Sequence, residues 1–117
     1  MSEGASQSPV RTLEDVIEQS RHPDPRRRRA AIHELCPCEV KRDFDLAWSR
    51  IFEMVGDPDA SVRRMVLHTL CDGSPRAREP EVLAAVEGFA RDPERTVHRI
   101  ARKVLAHYRR TGRINVL

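Results

Sequence analysis

At 117 residues with 39% apolar content the chain fits one domain, and with aromatics at only 4% its core must be mainly aliphatic. No apolar run approaches the roughly 20 residues of a membrane-spanning helix, which argues against a helical membrane protein. The net charge of +3 permits an acidic protein or a nucleic acid as partner and requires neither.

The chain opens on a Ser/Gly/Gln-rich stretch, Met1 to Pro9, with neither the charged start nor the apolar run of a signal peptide. Residues 1–10 are therefore expected to be a disordered tail on a cytoplasmic protein. Cys36, Cys38 and Cys71 are an odd set, as expected of free thiols in a reducing compartment.

The first predicted helix, Thr12 to Gln19, carries Leu13, Val16 and Ile17 at helical spacing. His22-Pro23-Asp24 then opens a second. Phe44 to Val55 follows with Trp48, Ile51, Phe52 and Val55, and Asp57-Pro58-Asp59 opens its successor. There Val62, Met65, Val66, Thr69 and Leu70 make an apolar stripe. The breaker cluster Cys71-Asp72-Gly73-Ser74-Pro75 ends it. Glu81 to Ala90 carries Leu83, Val86, Phe89 and Ala90, and Asp92-Pro93-Glu94 opens the last helix. Where the opening triplet leads with aspartate, at Asp57 and Asp92, that residue is expected to cap, with proline at the first helical position.

The three triplets start 35 residues apart, and the register holds beyond them. Leu35, Leu70 and Leu105 share a column, as do Ala30, Met65 and Ile100, and Arg29, Arg64 and Arg99. Two helices per period with no β-like alternation predict an all-α solenoid of three stacked helix pairs, about 11–41, 42–76 and 77–109. Residues 110–117, with Gly112 suited to a helix end, are expected to fold back through Ile114, Val116 and Leu117 over the exposed end of the last repeat. Docking on a partner or on a second copy is the alternative, so the chain is expected to be a monomer or weak dimer.

Asp57 to Leu70 and its two copies resemble the second half of a HEAT repeat, in the short form of the phycobilisome-lyase-type HEAT-like repeats, over about residues 11–109. The resemblance implies a right-handed α-solenoid, a scaffolding role, and second helices that line the concave, ligand-facing side. His22 stands where the pattern has aspartate, Arg27 where it has valine, and His98 where it has arginine. In such repeats the column Arg28, Arg63, His98 usually pairs with an aspartate of an adjacent repeat, and Asp24, Asp59 and Asp92 are the candidates.

With Val62, Val66 and Leu70 placed inward, Arg64, Leu67, His68 and Cys71 form the opposite stripe. Its counterparts are Arg29, Ile32, His33 and Cys36, then Arg99, Arg102, Lys103 and Ala106. The expected partner-binding residues are therefore Arg29, Ile32, His33, Arg64, Leu67, His68, Arg99, Arg102 and Lys103. They would form a shallow basic groove for a protein or acidic peptide, with Ile32 and Leu67 as exposed aliphatic contacts. A solvated helix face is the plainer reading of the same charges. A nucleic acid contacting the arginine ladder through phosphates is the alternative partner, although exposed aromatics for base stacking are few.

His33-x-x-Cys36 and His68-x-x-Cys71 repeat one period apart, but helices about 10 Å apart do not bring four ligands within about 2.3 Å of one zinc ion. No metal or cofactor is expected. There is no Gly-rich phosphate loop, nucleophile elbow or His-Glu-x-x-His, so no enzyme is expected.

Overall fold

Each stretch of helical spacing forms a helix, and among the described residues, 12–35 and 45–117 of a computed structural model, there is no strand. Helices α1 (Leu13–Gln19) and α2 (Pro25–Leu35) form the first pair. Helices α3 (Asp45–Glu53) and α4 (Ala60–Leu70) form the second, with a 3-10 turn, Met54–Gly56, closing α3. Helices α5 (Glu79–Phe89) and α6 (Arg95–Thr111) form the third. The second helices lie side by side, α2 against α4 and α4 against α6, while α1 packs on α3.

The starts of α1 and of the three second helices follow from side chains that satisfy free backbone amides. Thr12 Oγ1 accepts from the Asp15 amide at 3.0 Å and Asp15 accepts in return from the Thr12 amide at 3.0 Å, a reciprocal capping box. The later starts correct the expectation about the triplets. The cap is the third residue: Asp24 accepts from the Arg26 amide, Asp59 from Ser61 and Val62, and Glu94 from Thr96. The prolines at 58 and 93 precede the first helical residues, Ala60 and Arg95; only Pro25 begins a helix.

The leading residue of each triplet braces the loop instead. Asp57 accepts from the Asp59 amide at 2.9 Å and Asp92 from the Glu94 amide at 2.9 Å. His22 Nδ1 accepts from the Asp24 amide at 3.0 Å, so the imidazole does the loop work of an aspartate.

The same two aspartates receive the second basic column. Arg28 donates Nε and Nη2 to the Asp57 carboxylate at 2.9 and 3.1 Å. Arg63 does the same to Asp92 at 2.8 and 3.0 Å. Each Nη1 turns back to its own loop: Arg28 to the His22 and Pro23 carbonyls, Arg63 to those of Asp57 and Pro58. Of the expected partners only Asp92 is used. Asp24 pairs with Arg26 and Asp59 caps α4, because only the leading aspartate of the next repeat faces the guanidinium.

One continuous core runs through all three pairs. Val62, Val66, Leu67, Thr69 and Leu70 of α4 are buried, as are Trp48 and Ile51 of α3 and Val82 and Val86 of α5. Ile32 and Leu67 are fully buried, at 0% exposure each, which corrects their expected place on an open face. The middle helix has neighbours below and on both sides, so its buried arc is wide and takes in Leu67. Leu67→Ala and Leu70→Ala should each cost roughly 2–5 kcal/mol, with His68→Ala within about 0.5 kcal/mol, by urea denaturation. A Leu67 variant as mild as the His68 variant would contradict this packing.

Burial raises the Asp92 carboxyl, but the Arg63 guanidinium and the Glu94 amide outweigh burial and hold it below the ordinary carboxylate range. A depressed carboxyl contributes stability that is complete above its unfolded value, about 3.9, and lost as pH falls through the folded value. Asp92→Asn should therefore be less stable than wild type by roughly 2–3 kcal/mol at pH 7. The gap should close as pH drops below about 4. A gap of constant size from pH 7 to pH 3, by denaturant titration, would show that the carboxylate charge is not the stabilising element.

Candidate partner-binding face

The second helices each leave part of their surface uncovered, least on the middle helix α4. Arg29 on α2, Arg64 on α4 and Arg99 on α6 are all exposed there. Their equivalent positions, and helices that lie side by side, bring them to one face. Among the described residues none of the three is held by a carboxylate.

Three adjoining depressions mark this face. The first, about 290 Å³, is lined by Arg29, Ser61, Arg64, Met65, His68, Ile100 and Leu117. The second, about 160 Å³, shares Ile100 and adds Thr96, Arg99 and Lys103. The third, about 390 Å³, shares Arg29 and Met65 and adds Arg26, Ala30, His33 and Glu34. Arg29, His33, Arg64, His68, Arg99 and Lys103 are thus brought together. Ile32 and Leu67 lie beneath them in the core.

Arg102 leaves the group as well. It occupies the same column as Ile32 and Leu67, and its Nε donates to the Ala90 carbonyl at 3.1 Å. Ala90 is the C-cap of α5, so a cation there meets the negative end of that helix.

The whole column 32, 67, 102 points toward the first helices, and column 30, 65, 100 points to the open face. The open stripe therefore reads 26, 29, 30, 33 and not 29, 32, 33, 36, a rotation of about 60°. The floor residues absent from the expected stripe are Met65 and Ile100, both half-buried. Their shared column with exposed Ala30 was visible in the sequence, but an apolar pair at helical spacing reads first as core.

Leu117 reaches this face because the end of the chain turns back. Gly112, at φ 72°, ends α6 in the left-handed conformation, with its amide on the Tyr108 carbonyl at 2.7 Å. Asn115 Oδ1 then accepts from the Gly73 amide, the Ser74 amide and Ser74 Oγ at 2.8–3.0 Å, and its Nδ2 donates to the Ser74 carbonyl. The Leu117 amide donates to the Cys71 carbonyl at 2.9 Å. Of the three residues expected to fold back, Ile114 is buried, while Val116 and Leu117 remain 37% and 41% exposed. The segment also crosses to the end of α4 rather than covering the outer side of the last pair, and there it partners the Cys71 carbonyl at the helix end and the loop amides of Gly73 and Ser74.

Cys71 is a buried free thiol, pushed up to about 12 by burial, and is held protonated and shielded. It lies in the core, not on the stripe where the sequence placed it. Cys36 and Cys38 lie outside the described residues, as do residues 1–10. Among the described residues no cluster of histidine, cysteine and acidic side chains could hold a metal ion, and no helix is long and apolar enough to cross a membrane.

A family model described as HEAT repeats matches residues 10–106. The chain belongs to the HEAT-repeat family. HEAT repeats generally mediate protein–protein interaction and scaffolding and are generally non-catalytic. No curated protein and no solved structure matches this HEAT-repeat chain. The third pair carries the longest helix, α6, whose charged side includes Arg99, Lys103, Arg109 and Arg110.

Proposed function

We propose that this HEAT-repeat chain is a non-catalytic binding module that holds an acidic segment of a protein partner on the exposed strip of α2, α4 and α6. The observation that carries the reading is the row of exposed arginines at 29, 64 and 99, without carboxylate partners among the described residues, flanking a partly apolar floor. Like charges on one face repel each other, and a ligand carboxylate relieves that repulsion while fixing orientation.

The floor favours a protein over a nucleic acid. Single-stranded nucleic acid is held mainly on exposed tryptophan, tyrosine or phenylalanine rings, and none of these lines the depressions, where the rings are the imidazoles of His33 and His68: Trp48 is buried and Tyr108 Oη lies 3.4 Å from Glu79 Oε1. Aliphatic groups between cations suit a segment that mixes carboxylates with apolar side chains.

The test is affinity capture with the full chain, an Arg64→Glu/Arg99→Glu variant, and an Arg76→Glu/Arg91→Glu variant of equal charge change at exposed positions that line none of the three depressions. Partners held by wild type should be lost from the first variant and kept by the second. The same set captured by all three, or an equal loss from both variants, would contradict the reading. Duplex DNA at 50 mM salt, where phosphate contacts are strongest, should not saturate the chain.

A further inference from the structure

The first depression is built differently from the rest of the face. Met65 from α4, Ile100 from α6 and Leu117 from the returning end of the chain give it apolar surface from three separate segments. Two cations, Arg29 and Arg64, stand at its rim on different helices. The nearby acids are occupied: Asp72 lies 3.2 Å from His68 Nε2, and Glu34, in the adjoining depression, also has a partner.

Its size is also informative. A dry cavity of about 150 Å³ holds a benzene molecule, so an open depression of about 290 Å³ takes a leucine-sized group with room for solvent at the rim. Leu117 is placed there by fixed contacts, since Asn115 is clamped to Gly73 and Ser74 and the Leu117 amide to Cys71. The wall is therefore formed before any partner arrives, which lowers the ordering cost of binding.

We propose that this depression seats one aliphatic side chain of an acidic protein segment, with carboxylates on either side of it meeting Arg29 and Arg64. The proposal rests on the reading of the arginine face above and names the chemistry of its occupant. The aliphatic group sets register along the face, and the carboxylates supply attraction that salt screens.

The probes are a short glutamate-rich peptide with one central leucine, its leucine-to-serine version, and a version with glutamines for glutamates. They are titrated into full-length chain carrying labelled methionine and isoleucine methyl groups, followed by NMR. The leucine peptide should move the Met65 and Ile100 methyl signals. Burying a leucine is worth about 1.5–3 kcal/mol, so the serine version should bind at least about tenfold more weakly. The glutamine version and an Arg29→Ser/Arg64→Ser chain should show similar losses.

Equal binding of the leucine and serine peptides would overturn the proposal. So would unmoved Met65 and Ile100 signals at millimolar leucine peptide. If either result came with partners still lost from the Arg64→Glu/Arg99→Glu variant, the aliphatic seat would be wrong and the wider reading would stand. Partners retained by that variant would sink the wider reading itself.

Discussion

The repeated clamp between loops, Arg28 on Asp57 and Arg63 on Asp92, is the interaction on which the rest of this structure depends. Each guanidinium divides its donors between two carbonyls of its own loop and both carboxylate oxygens of the next. A planar fork leaves little freedom in the pairing. The aspartate is committed as well, because it braces its own loop by accepting the amide two residues on. Loop shape and repeat-to-repeat register are therefore set by one pair of residues. The pairs are largely buried, with side-chain exposures of 14% and 7% for the first and 14% and 6% for the second. Pairs of this kind add little net stability against an apolar replacement but are costly to break one-sidedly, which suits a role in register.

The two ends of the ladder show the same logic through its exceptions. His22 occupies the aspartate position and accepts the Asp24 amide through Nδ1, without offering a carboxylate. His98 occupies the arginine position, and its Nδ1 meets the Asp92 carbonyl of its own loop. Each histidine keeps the half of its column's work that lies within one loop and omits the half that joins two. Departures that look like drift in an alignment of three copies are thus specific losses of one function.

Much of this was readable from residues alone. The six helices of the described residues, Trp48 as core and Gly112 as a helix end all follow from local spacing and backbone chemistry. The rotation of the second helices did not. Taking Val62, Val66 and Leu70 as the inward line fixes one edge of the buried arc, and its width depends on how many neighbours a helix has. For α4 that number is high enough to swallow Leu67 and leave Met65 at the margin. The Asn115 clamp was equally out of reach, since it joins residues 41 and 42 positions apart with no sequence pattern to announce it. The arginine column survived the error in rotation because it lies inside both versions of the outer stripe.

Register, face and function are linked in one chain of dependence, so the clamp is the place to test it. A double-mutant cycle on Arg63→Ala and Asp92→Ala, read by denaturant unfolding of the full chain, isolates the pair from the other contacts of either residue. A coupling of roughly 1.5 kcal/mol or more, with the double variant little worse than either single one, is the expected result. Losses that add within about 0.5 kcal/mol would mean that the two side chains act independently, and that something other than this clamp aligns the arginine face.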